Sequence, residues 1–485
     1  MNELAHSQPD ALAFLQAFER AFTSKPNGLS WPNHERTWLN ASKYIRGLIR
    51  PGNNTVTDIA DNLYTDAEQL ERFVRESPWE HDEVERHLHE QVPEAMQGED
   101  AALIVDGMPI PKRGTRSVGA ARQWCSVLGK VDNCQVTVNT ILARPGPHDN
   151  TDQVHWPLAM RLFLTKKWAG DKSAEYDSPE ERRRYAELRE STGIPEDVAY
   201  QPKYDIALEQ VERAIAAGVK HDCVVGDIGF GRPRAFREGL RELEEPYALE
   251  VEPGKFNVVP EDTEILEPDG QRKHPVYPEE VEAKTPDAIA AGVEASEAWT
   301  EVAWNEGSKE TLSGEFYRTR VRVVEKAATR WVSEETGWLL LKKNHGTDDE
   351  DDADGEVRGL KAWICWDLDE RSLDELVDRS QLRWTIERYH QDSKGDLGAG
   401  EYQGRTWAGF HHHLAAVMLA HAFLAEQRLE RGIDREDLPS FQQVVRDIVK
   451  ENATQDLMAE QGFDRPQAEE IAVQMLSGYS DWKGM

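Results

Sequence analysis

Two short apolar segments that each run into an aspartate constrain the fold more than any other feature of the chain. Residues 101–105 lead into Asp106, and residues 223–225 lead, after one glycine, into Asp227. Short apolar runs bounded by turn residues are typical of buried β-strands. Prolines and a glycine follow Asp106, so the first strand is predicted to end at this residue. Both aspartates should project from strand ends, although a strand-end aspartate is more commonly a helix cap or a turn former.

A third acidic residue, Glu387, comes from a single helix that is predicted over residues 373–394. At about 3.6 residues per turn, Arg383, Glu387 and Lys394 share one stripe of a helix. A carboxylate flanked by two cations could hold a metal ion beside a phosphate group. The same stripe is also typical of an ordinary salt-bridged surface helix, and the segment alone leaves both interpretations open.

The charge balance is strongly acidic. The chain has 90 Asp and Glu against 57 Lys and Arg, of which 20 are Lys, and its formal net charge is −33. Composition alone therefore favours an acidic protein that does not bind nucleic acid. The same balance indicates adaptation to molar salt, where the Debye length is about 3 Å and repulsion between acidic molecules is screened. We expect a protein from a halophile.

Other patterns exclude several classes of protein. The longest apolar stretch, residues 414–424, contains His421 and is too short to span a bilayer, so we expect a cytoplasmic protein. The four cysteines are scattered without CxxC spacing, which predicts neither a disulfide framework nor a soft-metal site. The histidines at 411–413 point in three directions around a helix and are predicted to be structural or DNA-facing.

Four segments taken together resemble a known family, the insertion-sequence transposases of the DDE, RNase H-like class, in the branch with a Tyr-Arg-Glu-Lys signature. The resemblance spans most of the chain. The segments are residues 105–136, which begin VDGMPIPKRG, then VHWPLAMRLFL at 154–164, VVGDIGFG at 224–231, and residues 383–424, which begin RWTIERYHQDSKGDLG.

The resemblance implies roles for particular residues. Asp106, Asp227 and Glu387 correspond to the catalytic triad, and Arg383 and Lys394 to the Arg and Lys of the signature. Binding of DNA phosphate is therefore expected at these two cations, and also at Lys112 and Arg113. Two departures stand out. Ser380 replaces the signature's Tyr, and Gly107 and Met108 stand where relatives often have a second acid or a Thr.

The resemblance also implies a cofactor and partners. The three acids would hold two Mg²⁺ or Mn²⁺ ions, which are hard cations that prefer oxygen ligands. The expected partners are double-stranded DNA, both terminal inverted repeats and target DNA, and a second copy of the chain in a homodimer on DNA.

The predicted fold class is mixed α/β, an RNase H-like core that is interrupted by a β-rich insertion and preceded by a helical domain. After the N-terminal helices, the order strand, strand, strand, helix, strand suits such a core. We predict five divisions: an N-terminal helical domain at 1–97, the first part of the core at 98–252, the insertion at 253–357, the second part of the core at 358–430, and a C-terminal helical tail at 431–485. The N-terminal domain is predicted to bind DNA through a helix-turn-helix, and the sequence leaves open that it is a helical bundle used for dimer contacts.

The sequence leaves several functions open. The leading hypothesis is a DDE transposase that cuts DNA at the ends of its element and joins the 3′-ends to target DNA. A nuclease or resolvase of the same fold would cut without joining. A catalytically inactive DNA-binding descendant is suggested only by Ser380 and Gly107. A glycosidase that uses two carboxylates is the least supported, because sugar-binding aromatic motifs are missing.

Overall fold

The computed structural model describes most of the chain. The described residues are 11–25, 27–31, 33–49, 54–63, 65–145, 153–269, 272–293, 298–305, 311–343, 359–432 and 438–477.

Eleven strands and seventeen α-helices occur within these residues. The strands are β1 (Ala102–Pro111), β2 (Ala121–Cys125), β3 (Lys130–Arg144), β4 (Val154–Leu162), β5 (Cys223–Gly226), β6 (Tyr247–Val251), β7 (Asn257–Pro260), β8 (Thr300–Asn305), β9 (Thr311–Lys326), β10 (Trp331–Lys343) and β11 (Leu360–Trp366). The helices are α1 (Ala11–Gln16), α2 (Glu19–Thr23), α3 (His34–Leu48), α4 (Val56–Asn62), α5 (Ala67–Glu76), α6 (His81–Glu90), α7 (Lys166–Ala169), α8 (Pro179–Ser191), α9 (Lys203–Ala216), α10 (Ile228–Gly231), α11 (Arg234–Glu242), α12 (Pro286–Gly292), α13 (Leu373–Leu382), α14 (Trp384–Gly395), α15 (Trp407–Gly432), α16 (Phe441–Gln461) and α17 (Arg465–Ser477).

All the described strands belong to one mixed sheet. Its order is β2-β3-β1-β5-β6-β11-β10-β9-β7, with β4 paired to β3 and β8 paired to β9. Strands β1, β5 and β6 are parallel neighbours, and the other pairings are antiparallel. A mixed sheet with helices confirms the predicted mixed α/β class with an RNase H-like core.

Helices cover both faces of the sheet. Successive side chains of a strand point to opposite faces. On β3, Asn139 contacts His390 of α14, whereas the next residue, Thr140, donates its hydroxyl hydrogen to Gln210 of α9. Helix α14 therefore lies on one face and α9 on the other, and this arrangement buries the apolar strands between them.

The prediction that β1 ends at Asp106 is wrong. The strand continues to Pro111 and pairs with β3 along its whole length, while β5 stops opposite Val105. The amide of Lys112 donates to the carbonyl oxygen of Asn133, on the β3 side of β1. Successive amides of a strand point to opposite sides, so the nitrogens of Pro109 and Pro111 face the other side, where β5 has already ended. Proline is tolerated there because no hydrogen bond is needed.

The predicted single helix over residues 373–394 is interrupted at one residue. Arg383 separates α13 from α14, but its backbone angles remain helical, at φ −49° and ψ −36°. The amide of Ile386 donates to the Arg383 carbonyl oxygen three residues earlier, as in a tighter helical turn. The chain thus keeps its direction, and Glu387 still lies on a helix that packs against β1.

Among the described residues, six α-helices, α1 to α6, occupy the predicted N-terminal helical region. They pack on α15 through its histidines. His413 contacts the Tyr44 hydroxyl at 2.9 Å, and His412 stacks on Trp79 with ring centroids 3.9 Å apart. The three consecutive histidines are at most 4% exposed, so their predicted structural role is favoured over contact with DNA.

The strands predicted for the insertion are continuous with the core sheet. Strand β10 pairs with β11, which in turn pairs with β6. A buried ion-pair network adds a second connection: Glu335 of β10, 0% exposed, accepts hydrogen bonds from Arg237 at 3.0 Å and from the Tyr247 hydroxyl at 2.6 Å, and it lies 2.8 Å from Arg241. The insertion strands are therefore fastened to α11 and β6.

Within the described residues, no helix has the length and apolar character needed to cross a membrane.

Replacing Glu335 by alanine should strongly destabilise the protein. The change would leave two arginines and a tyrosine hydroxyl without their shared acceptor, and removing one partner from a buried ion pair costs about 3–5 kcal/mol. Urea denaturation would measure the loss. The neighbouring exposed residue supplies the control, since Glu334→Ala should change the free energy of unfolding by less than about 0.5 kcal/mol. Equal stability of the two variants would contradict the assigned role of the network.

Candidate active site

Three acidic residues lie at one level across adjacent parallel strands. Val105 of β1 pairs with Gly226 of β5, and Gly226 pairs with Leu249 of β6. The residues that come next are Asp106 in β1, Asp227 directly after the end of β5, and Glu250 in β6. Residues in register on neighbouring strands project to the same face, so this row places three carboxylates side by side.

Asp227 lies where β5 gives way to α10. Its Oδ1 atom is buried and has no hydrogen-bond partner among the described residues. The two following glycines explain how the carboxylate fits. A Cβ at Gly229 would lie 3.0 Å from Asp227 Oδ1, and one at Gly231 would lie 1.9 Å from the Glu250 carbonyl oxygen. The first glycine leaves room beside the carboxylate, and the second allows α10 to pack directly on β6.

Arg383 connects these acids to Glu387. Its Nη1 atom lies 3.5 Å from Asp106 Oδ2 and 3.6 Å from Glu387 Oε1, and its Nε lies 3.6 Å from Glu250 Oε2. All three distances exceed those of strong charge-assisted hydrogen bonds, which are about 2.7–2.9 Å. The guanidinium is therefore shared between three carboxylates and held closely by none.

The environment shifts the acidity of several groups. Burial, followed by the nearby Asp227 carboxylate, raises the pKa of Asp106 well above its usual range, and the Arg383 charge opposes that rise only in part. Burial lowers the pKa of Lys394, while the charges of Glu387 and Asp106 act in the opposite direction. Both effects show that the acids lie close together in a poorly solvated region.

His390 was not predicted from the sequence. A ligand atom of His390 lies within 4.8 Å of one from Asp106 and one from Glu387, and its Nε2 is 2.9 Å from Asn139 Nδ2. Burial lowers the pKa of His390 to about 3, so its ring is neutral. The available signal was its spacing from Glu387, since three residues are almost one helical turn.

The predicted residues thus fall into two groups. Asp106, Glu387 and Arg383 are in mutual contact, Asp227 lies in register beside Asp106, and Lys394 interacts electrostatically with Glu387 and Asp106. The second group comprises Lys112 and Arg113, the other two predicted phosphate-binding residues, which lie outside the cluster of acids.

Lys112 and Arg113 line an open polar pocket at the far end of β1 together with Thr55, Gly400, Glu401, Tyr402 and other residues. The Lys112 ammonium donates to the carbonyl oxygens of Gly400 and Tyr402, at 3.4 and 2.9 Å. Burial lowers the pKa of Lys112 to about 8. The structure does not bring Lys112 or Arg113 into the cluster of acids.

Ser380, which stands at the signature's Tyr position, is buried in α13. Its hydroxyl donates to the carbonyl oxygen of Val377 at 2.9 Å. This side chain is therefore committed to its own helix.

A second buried cluster of possible metal ligands comprises His155, Asp392 and His421. The Nε2 atoms of the two imidazoles are 3.0 Å apart, which is the distance of an N–H···N hydrogen bond between neutral rings. Burial lowers the pKa of both histidines, and Arg388 Nε lies 3.2 Å from Asp392 Oδ1. The two neutral rings contact each other, and the carboxylate is already paired with a guanidinium. We therefore interpret this cluster as a structural part of the protein interior.

The family comparison agrees with the geometry. A parallel strand pair that aligns Asp106 with Asp227, beside a helix that supplies Glu387, is the arrangement of an RNase H-like nuclease. The family model described as DDE superfamily endonuclease matches residues 28–311, more than half of the chain. The chain belongs to this family. The match includes Asp106 and Asp227 and ends before Glu387. No match was found among curated proteins.

Membership implies a nuclease-type activity on DNA that uses divalent metal ions. The residues fit such an ion. Asp106 and Glu387 supply carboxylate oxygens, the ligands that hard divalent cations prefer. The buried Asp227 Oδ1 without a hydrogen-bond partner is a further acceptor that a cation would satisfy.

We expect Mn²⁺ to bind this chain more tightly as the pH rises. Because the pKa of Asp106 is raised, a cation that binds its carboxylate must displace a proton at neutral pH. Affinity should rise by up to about tenfold per pH unit until Asp106 is ionised, since one proton is released. Titration of free Mn²⁺ by electron paramagnetic resonance between pH 6.5 and 8.5 would measure it. Glu334→Gln should behave like the native chain, and Asp106→Asn should abolish the slope. A native affinity that is independent of pH would refute the expectation.

Proposed function

We propose that this chain is an insertion-sequence transposase that binds the terminal inverted repeats of its element, cleaves DNA at the ends and transfers the 3′-ends to target DNA. The observation that carries the proposal is the convergence of Asp106, Glu387 and Arg383, with Asp227 in register, in a chain of the DDE superfamily endonuclease family. These residues are far apart in sequence, and their order suits a DDE triad.

In this proposal Asp106, Asp227 and Glu387 hold two Mg²⁺ or Mn²⁺ ions. Bound ions of this kind supply Lewis-acid activation of the attacking hydroxyl and stabilise the leaving 3′-oxygen. The chain's own cations have a separate task. Arg383 and Lys394, on either side of Glu387 along one helix stripe, donate hydrogen bonds to the phosphate oxygens and orient the scissile group. The neutral His390 ring fills the base of the site against Asn139.

We further propose how the rest of the chain is used. Residues 1–97 form the DNA-binding domain, in which α4 and α5 act as a helix-turn-helix. Thr55 caps α4 and Asp66 caps α5, as expected for two short helices joined by a tight turn. Residues 98–252 and 358–430 form the core, residues 253–357 the insertion and residues 431–485 the tail. Two copies assemble on paired DNA ends, and the proposed location is the cytoplasm.

The pocket at Lys112 and Arg113 is proposed as a contact for the DNA backbone outside the scissile phosphate. Arg113 is exposed, and both residues directly follow Pro111, the last residue of β1. Placement in the Tyr-Arg-Glu-Lys branch rests on Arg383, Glu387 and Lys394. With a serine at 380, the aromatic phosphate contact of that signature is missing.

Two alternatives differ in observable ways. A nuclease or resolvase would cut DNA without joining it and would not need paired end sequences. An inactive descendant would bind DNA without cutting.

Cleavage and joining should both depend on the three acids. The assay uses labelled duplexes taken from the inverted repeats that flank the coding region, with Mg²⁺ or Mn²⁺ in high KCl. We expect Asp106→Asn, Asp227→Asn and Glu387→Gln each to reduce cleavage by more than about 100-fold, because even outer-shell partners of a metal site cost about 10–100-fold.

Glu334→Gln, a change of an exposed acid on β10, is the matched control and should cut like the native chain. Native levels of cutting by any of the three variants would remove that residue from the site. Cutting without joined products would favour the nuclease, and the absence of both, with DNA bound, would favour the inactive descendant.

We also propose that the chain comes from a halophile. The excess of 90 acidic over 57 basic residues supports this proposal, as does the preference for arginine over lysine among the cations. At molar salt the repulsion between an acidic surface and DNA is screened within about 3 Å, so binding depends on short-range contacts.

The melting temperature should therefore rise with KCl concentration. At about 0.1 M salt the Debye length is about 10 Å, and unscreened carboxylates across the surface should loosen the fold. Thermal melts at 0.1 and 2 M KCl measure the effect, with sucrose at matched osmolality as the control for solvent exclusion. A melting temperature that does not change with KCl, or that sucrose raises equally, would contradict the proposal.

A further inference from the structure

We propose that Glu250 is a positioning residue of this site, which retains the Arg383 guanidinium on β6 so that Asp106 and Glu387 remain available to a divalent cation. The inference rests on the proposed function for its catalytic meaning, but it concerns metal binding, which needs no DNA. Neither the resemblance nor the family match assigns a role to this residue.

The placement of Glu250 requires an explanation. It lies inside β6, between β5 and β11, and its side chain is only 9% exposed. A buried carboxylate is costly unless it is paired. Its cationic neighbours among the described residues are Arg383, with Nε at 3.6 Å, and the more exposed Lys361, with Nζ at 3.9 Å. Arg383 is the less exposed of these two cations, so it is the partner that best compensates the buried carboxylate.

Different edges of the guanidinium face different acids. Nη1 lies 3.5 Å from Asp106 and 3.6 Å from Glu387, whereas Nε faces Glu250. A divalent cation bound by Asp106 and Glu387 would therefore approach the Nη1 edge, and two like charges in a poorly solvated site repel strongly. The Glu250 carboxylate attracts the guanidinium from the opposite edge, which lowers the cost of keeping both cations.

The interaction of Glu250 with Arg383 Nε also sets the direction of the Arg383 side chain. Because the Glu250 carboxylate attracts Nε towards β6, the Nη atoms remain directed towards Asp106 and Glu387, where Arg383 is proposed to bind the scissile phosphate. Without the Glu250 carboxylate, the guanidinium would pair with Asp106 and Glu387 alone and compete with the metal for their oxygens. We therefore expect loss of the Glu250 charge to weaken metal binding.

The test measures Mn²⁺ affinity by electron paramagnetic resonance, without DNA, at high KCl. We expect Glu250→Gln to lower the affinity by about tenfold, the lower end of the effect of outer-shell partners. A double-mutant cycle shows how the effect is transmitted. In the Arg383→Gln background, Glu250→Gln should have an effect at least about threefold smaller, because the cation that Glu250 restrains has been removed. An effect of equal or greater size in that background would mean that Glu250 acts on the metal directly, and this would overturn the proposal.

Two further variants complete the test. Lys361→Gln removes the other cationic neighbour and should leave the affinity within about twofold of the native value. A fall as large as that of Glu250→Gln would assign Glu250 to Lys361 instead and would overturn the proposal. Glu250→Asp keeps the charge but withdraws the carboxylate from Arg383 Nε by one methylene group, so it tests the proposal should Glu250→Gln fail to fold. It should bind Mn²⁺ with an affinity between those of the native chain and a chain lacking the charge, and unchanged affinity would overturn the proposal.

The outcomes separate this inference from the proposed function. A native chain that binds Mn²⁺ but neither cuts nor joins DNA would defeat the proposed function, and the variants would still decide the role of Glu250. A native chain that binds no Mn²⁺ in the absence of DNA would overturn the role of Glu250 directly.

Discussion

The clustering of acidic side chains on the parallel strands in the middle of the sheet is the constraint on which the rest of the site depends. Strands β1, β5 and β6 align Asp106, Asp227 and Glu250 at one level, and α14 adds Glu387 from the face above. Like charges at such distances in a poorly solvated region are strongly unfavourable unless a cation is placed among them. Arg383 supplies that cation. Its position between α13 and α14, on a backbone that stays helical, allows one side chain to reach both the sheet and Glu387.

The sheet connects the site to strands that are distant from it. Because β11 joins β6 on one side and β10 on the other, the strands that follow β6 extend the core sheet. The buried carboxylate of Glu335 reinforces the connection by pairing with Arg237 and Arg241 of α11, the second helix after Asp227. The turn that carries Asp227 is thus braced from β6 and from β10, and displacement of β10 would disturb it.

Sequence patterns located the strands that lead into Asp106 and Asp227 and the helix that carries Glu387, because apolar runs, turn residues and helical spacing are local properties. They could not place Glu250, since its alignment with Asp227 depends on the register between β5 and β6, and no local pattern encodes register between distant segments. The end of β1 was misplaced for a related reason. Pro109 forbids a strand only where its nitrogen would face a neighbour, and the sequence does not reveal that β5 stops opposite Val105. His390 was hidden in the same way, because its partner Asn139 lies on another strand.

The same geometry bears on how so acidic a chain can approach DNA. In the protein alone, the Arg383 guanidinium is shared between carboxylates, and Lys394 interacts with Glu387 and Asp106, so neither cation is fully available to a phosphate. Divalent ions on the acids would neutralise those carboxylates and leave both side chains to the phosphate oxygens. Metal binding and phosphate binding at this site should then favour each other, since each relieves a repulsion that opposes the other. In a chain of net charge −33, local neutralisation of this kind contributes more than any attraction by the whole surface.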